Sequence, residues 1–119
     1  MEWQIEFYEF TGGEKPVFNF IENLPTKDKA KVYFELELLE EYGIQLGPPR
    51  AIKIEGERYK GLWELRIKFS SNSYRIFYFL YTQKSFILLH ANMKKKNKTS
   101  KNDLEISRQR MLDYKERFK

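Results

Sequence analysis

The 119 residues are 41% apolar and 17% aromatic, with no cysteine, one histidine and a net charge of +5. That length suits one domain spanning residues 1–119, and ten Phe, eight Tyr and two Trp are too many for a disordered chain. Zero cysteines exclude disulfides, cysteine-ligated zinc, iron–sulfur clusters and thiol catalysis, and one histidine argues against a metal site, so chemistry without metal or cofactor is expected.

The first twenty residues include Glu2, Glu6, Glu9, Glu14 and Lys15, and no uncharged apolar run reaches the length of a membrane span. A cytosolic protein without membrane contact is expected. Trp3, Ile5 and Phe7 alternate with Gln4 and Glu6, which predicts a half-buried strand at a sheet edge. Pro16 favours a first helical position, and Val17, Phe20, Ile21 and Leu24 make one apolar stripe that Pro25 ends. A second helix is predicted from Thr26, as N-cap, to Tyr42, with Asp28 in its first turn and Gly43 as its C-terminal stop. Val32, Leu36 and Leu39 lie on its apolar face, and Glu37, Glu40 and Glu41 face solvent.

Gly47-Pro48-Pro49 reads as a rigid loop. Three apolar-aromatic runs follow, Leu62 to Phe69, Tyr74 to Tyr81 and Phe86 to Met93, separated by four-residue breaks of hairpin type. A last helix is expected near Asp103 to Phe118, loosely docked through a thin stripe of Leu104, Met111, Tyr114 and Phe118. The order β-α-α-β-β-β-α defines an α+β domain: an antiparallel sheet with two N-terminal helices on one face, and a C-terminal helix.

The charge is unevenly placed. Residues 1–50 hold 5 basic and 10 acidic side chains, a balance of −5, whereas residues 51–119 hold 17 and 7, a balance of +10. Such asymmetry indicates an anionic polymer as partner, against the plainer reading of a solubilising surface. Strand alternation gathers the positive half. With Trp63, Leu65, Ile67, Ile76, Tyr78 and Leu80 toward the helices, Arg66, Lys68 and Arg75 share the open face. Arg75 reads either as a phosphate-binding fork or as a buried partner of Glu64 across the hairpin. The run Lys94 to Lys101 is a solvated loop taken alone, and an RNA clamp when set beside two strand arginines. Lys53, Lys68, Lys96, Lys98 and Lys101 are therefore candidate RNA contacts. Phe77, Phe79 and Tyr81 would either stack bases in a non-catalytic RNA-binding module or pack against the last helix. His90, placed by alternation with Phe86 and Leu88, reads as a hydrogen-bonded core residue rather than a catalyst.

The ordered set Glu64-Leu65-Arg66-Ile67, Tyr74-Arg75-Ile76-Phe77-Tyr78-Phe79, Leu88-Leu89-His90 and Lys94-Lys95 resembles the phage-derived HigB-like branch of the RelE/ParE toxin superfamily. Phe20-Ile21, Leu24-Pro25, Leu38-Leu39 and Gly43 fit the same pattern, so the resemblance covers nearly the whole chain. It implies the toxin of a type II toxin–antitoxin pair, an endoribonuclease cleaving messenger RNA in the ribosomal A site, with catalytic residues at Arg66, Arg75, Lys94 and Lys95. It also implies a helix-turn-helix, HigA-like antitoxin, through which alone operator DNA would be bound. Some relatives carry a tyrosine near the C-terminus that has no clear match here, and a lysine where Glu64 stands. ParE-type members poison DNA gyrase instead, and fold alone does not separate the two. The chemistry expected is attack of a 2′-hydroxyl on its own 3′-phosphate, with the arginines holding the phosphate and a lysine assisting proton transfer.

Overall fold

The computed structural model describes residues 3–94 and 99–119. It is a mixed α+β structure of three helices and a five-stranded sheet: β1 (Gln4–Phe7), α1 (Pro16–Glu22), α2 (Thr26–Tyr42), β2 (Ala51–Lys53), β3 (Leu62–Phe69), β4 (Asn72–Leu80), β5 (Ser85–Met93) and α3 (Lys101–Arg117). The spatial order is β1-β5-β4-β3-β2. Two features correct the expected antiparallel sheet of four strands. β1 lies at one edge but runs parallel to β5, from Gln4 beside Ser85 to Phe7 beside Leu88, so the sheet is mixed. A strand that returns to its neighbour only after helices and a meander is free to take either direction. At the other edge, β2 pairs with β3 through Ala51–Leu65 and Lys53–Trp63, a strand too short to leave a period in the sequence.

Pro16 opens α1, and Val17 and Ile21 are its buried residues. α2 begins at Thr26, but the N-cap position belongs to Pro25, whose extended backbone leaves Thr26 as the first helical residue, and no side chain caps the end. Asp28, in that first turn, accepts hydrogen bonds from the Tyr74 hydroxyl and from Asn72 Nδ2, which ties the start of α2 to the β3–β4 hairpin. At the other end Gly43 takes φ 55°. A Cβ there would fall 1.9 Å from the Trp3 indole, so a glycine is required both by the backbone and by the ring stacked over it.

The apolar residues sort cleanly by face. Val17, Ile21, Val32, Leu36 and Leu39 from the helices pack on Leu65, Ile67, Ile76, Tyr78 and Leu88. On the opposite face Met111 and Tyr114 of α3 meet Leu62, Phe79, Ile87 and Leu89. α3 buries a thin stripe, as its pattern suggests, yet it is not loosely attached. Ser100 Oγ accepts from the Asp103 amide and caps the helix. Arg58 and Tyr59 bind Glu105, Tyr8 binds Asp113, and Arg110 donates to the Leu89 carbonyl.

Candidate functional site

The site lies on the α3 side of the sheet, near the β3–β4 hairpin. Arg66 pairs with Arg75 and Lys68 with Ser73 across the two strands, which puts these side chains on one face. Between them sits Glu64, only 1% exposed. Its Oε1 accepts from Arg66 Nε at 3.0 Å, its Oε2 lies 2.9 Å from Arg75 Nε, and the Thr99 hydroxyl donates to Oε2 at 2.9 Å. Arg75 Nη1 in turn donates to Thr99 Oγ1 at 2.6 Å. A carboxylate taken out of water this completely is tolerable only when its charge and lone pairs are answered; the Arg66 Nε and Thr99 hydroxyl donors and the Arg75 ion pair converge to do so.

This cluster divides the cations expected to share an open face. Arg75 is 2% exposed and pairs with Glu64 beneath the surface. Burial pushes its guanidinium down and Glu64 opposes the shift; an arginine remains charged through such a change. Arg66 keeps its side chain 40% exposed and, among the described residues, is held through Nε. Lys68 is exposed and Lys94 half-buried. Arg66, Lys68 and Lys94 line one wall of a cleft of about 460 Å³. The Lys94 backbone is fixed by its amide, which donates to the Ser73 carbonyl at 2.7 Å. Burial first, and then Arg75, Arg66 and Lys68, hold the Lys94 ammonium below its ordinary range, with Glu64 working against them.

Other candidates fall elsewhere. Lys53 pairs with Trp63 and so lies on the face of α1 and α2, away from Arg66. Lys101 is exposed in the first turn of α3. Lys95, Lys96 and Lys98 lie outside the described residues. Phe77 and Phe79 are buried, and Phe79 and Tyr81 pack edge-on against Tyr114, so these rings belong to the α3 interface and offer no base-stacking platform.

His90 changes face. A bulge between Phe77 and Tyr78 sets Tyr78 opposite Leu88 but Phe77 opposite His90, leaving Leu89 as the extra residue. His90 therefore points not with Phe86 and Leu88 but toward α3, where it stacks on Phe77 and its Nε2 lies 2.8 Å from Asp103 Oδ1. Burial holds the imidazole below its usual value, although Asp103 pulls the other way. The buried Glu64–Arg75 pair is the second of the two readings offered for Arg75, and the missed members of the site are Glu64 as the anchor of Arg66, Thr99, and the His90–Asp103 pair. Among the described residues, no group of three or more carboxylates and histidines is placed to hold a metal ion.

Residues 19–112 match the family model described as Phage derived protein Gp49-like (DUF891), and the chain belongs to that family. No curated protein matches it. Among the described residues no helix is long and apolar enough to cross a membrane.

Proposed function

We propose that this protein is the toxin of a type II toxin–antitoxin pair, acting in the cytoplasm as a ribosome-dependent endoribonuclease of HigB type and silenced by a helix-turn-helix antitoxin. The observation that carries this reading is the convergence of Arg66, Lys68 and Lys94 on one cleft wall, with Arg66 set in place by a buried carboxylate. Membership of a phage-derived family supports it, as does the resemblance of the strand motifs.

In this mechanism the 2′-oxygen of a nucleotide bonds to its own 3′-phosphorus while the bond to the next 5′-oxygen breaks, leaving a cyclic phosphate and a free 5′-hydroxyl. One proton leaves the 2′-hydroxyl and one reaches the 5′-oxygen, so the step balances without an added reactant. Arg66 neutralises charge growing on the non-bridging oxygens. Lys94, its ammonium more acidic than a solvated lysine, supplies the proton to the leaving oxygen. Arg75 acts one layer below, keeping Glu64 and hence Arg66 in position. The ribosome contributes the in-line geometry of the strand.

Mapping messenger 5′ ends in cells expressing the wild type or Arg66→Ala, with translation running or blocked, tests this. Cuts confined to translated messages, and reduced about 100-fold or more in the variant, are expected. Binding without cuts overturns the reading, and DNA damage with intact messages would replace it with gyrase poisoning.

A further inference from the structure

The cleft has a second wall that no strand motif announces. It is built by Lys31 and Glu35 of α2 and by Arg50, just before β2, with Pro49 and Tyr74 also lining the cleft. Glu35 is buried, and each of its oxygens holds one cation: Oε2 lies 2.9 Å from Lys31 Nζ and Oε1 accepts from Arg50 Nε at 3.0 Å. Both cations remain open to solvent, with Lys31 30% and Arg50 48% exposed. One carboxylate neutralises one cation, so this trio presents a surplus of one positive charge. The device recurs beneath Arg66, where Glu64, outside the cleft, clamps Arg66 and Arg75.

A structural salt bridge does not need such an arrangement. Burying a carboxylate is costly, and an apolar residue in its place commonly serves stability as well. What the buried carboxylate does achieve is to hold two long, flexible cations in fixed positions before a ligand arrives. The wall itself is fixed, because Asp28, one turn before Lys31, is hydrogen-bonded to Tyr74 and Asn72. Five cationic side chains around an apolar lining of Pro49, Ile67 and Tyr74, in a cleft of small-ligand size, match a phosphate with its attached sugar and base.

We infer that the cleft between α2 and β3 takes one nucleotide of single-stranded RNA, with Lys31 and Arg50 forming a phosphate subsite that adjoins Arg66, whose amide is bonded to the Arg50 carbonyl. This rests on the RNA reading above and adds residues from the acidic half of the chain to it.

The test is fluorescence anisotropy of the full-length protein with a short, non-cleavable 2′-O-methyl single strand, titrated with salt. Each phosphate that a cation no longer neutralises lowers the salt slope by about 0.7. Arg50→Gln, which leaves the Lys31–Glu35 pair intact, is expected to lower it by about that much and to weaken binding roughly threefold. The neutralised wall, Lys31→Met/Glu35→Leu/Arg50→Met, removes the same single surplus charge and is expected to lower it by about 0.7 as well, with roughly threefold weaker binding. Lys53→Ala, which does not line the cleft, controls for removal of positive charge in general. An unchanged slope in Arg50→Gln while Arg66→Ala weakens binding overturns the subsite and leaves the RNA reading standing. An equal weakening in Lys53→Ala likewise overturns the subsite, and a wild type that does not bind the strand overturns both.

Discussion

On the face covered by α1 and α2, Val17, Ile21, Leu36 and Leu39 meet Leu65, Ile76 and Leu88 in a continuous apolar layer. On the face covered by α3, the helix buries Met111 and Tyr114 and is otherwise docked by charged and polar contacts at Arg58, His90, Asp113 and Leu89. The first arrangement is non-directional and indifferent to pH and salt. The second is directional, and its strength depends on which groups are ionised. The buried Glu64–Arg75 pair sits on the second face, whereas the cleft lined by Arg66, Lys68 and Lys94 also takes Lys31, Ile67 and Tyr74 from the first, so the candidate chemistry lies where the two faces meet.

The sharpest break of this contrast is Glu64→Ala. It leaves the Arg75 guanidinium buried without its carboxylate, and a loss of about 3–5 kcal/mol is expected in urea unfolding. Glu64→Leu/Arg75→Met should recover most of that stability while leaving Arg66 without its anchor, so a stable but inactive protein is the expected outcome. On the apolar face, Leu39→Ala should cost about 3 kcal/mol through reduced burial and a cavity. That cost should be the same at about pH 5 and about pH 7.5, since no charge is involved; a pH-dependent cost would show that the two faces are coupled.

The smallest effect concerns His90. Its folded pKa lies below the ordinary 6.5, with burial as the main cause and Arg110 adding to it against Asp103. The unfolded imidazole therefore takes up its proton at higher pH than the folded one. Stability is complete above about 6.5 and declines as pH falls toward the depressed folded value. His90→Gln should abolish that slope in unfolding midpoints measured across the interval, while a slope unchanged in the variant would assign it to another group.

The meander was legible in the chain because β3, β4 and β5 each carry a long period-two pattern, and Leu62–Phe69 is bounded in the structure where its pattern ends. The first two helices were legible from their punctuation: Pro16 at the start of α1, Pro25 as the break after it, and Gly43 at the stop of α2, although the cap position fell to Pro25 and not to Thr26. The face shared by Arg66, Lys68 and Arg75 followed from the same alternation. What alternation does not contain is depth. Arg66 and Arg75 sit opposite each other on one face, yet Glu64 and α3 cover the second and leave the first open. Nor does it contain a single extra residue, and the bulge at Leu89 moved His90 to the other face. Glu35 lies two residues from Glu37 in an acidic stretch; the i,i+4 spacing from Lys31 sets it apart in the sequence, but the approach of Arg50 from outside the helix does not show there.

The brevity of β2 has a bearing on how this protein keeps to itself. β2 covers β3 as far as Leu65, and the Arg50 carbonyl just before it takes the Arg66 amide, so among the described residues the stretch Ile67–Phe69 has no strand on its outer side. A bare sheet edge is a template on which a second copy can add its own strand and begin to aggregate. Here that edge is bordered by Arg66, Lys68 and the Lys31–Arg50 wall, and two such edges repel one another. The cations proposed to receive an RNA strand therefore also keep the edge from receiving a polypeptide one, and neutralising them exchanges solubility along with affinity.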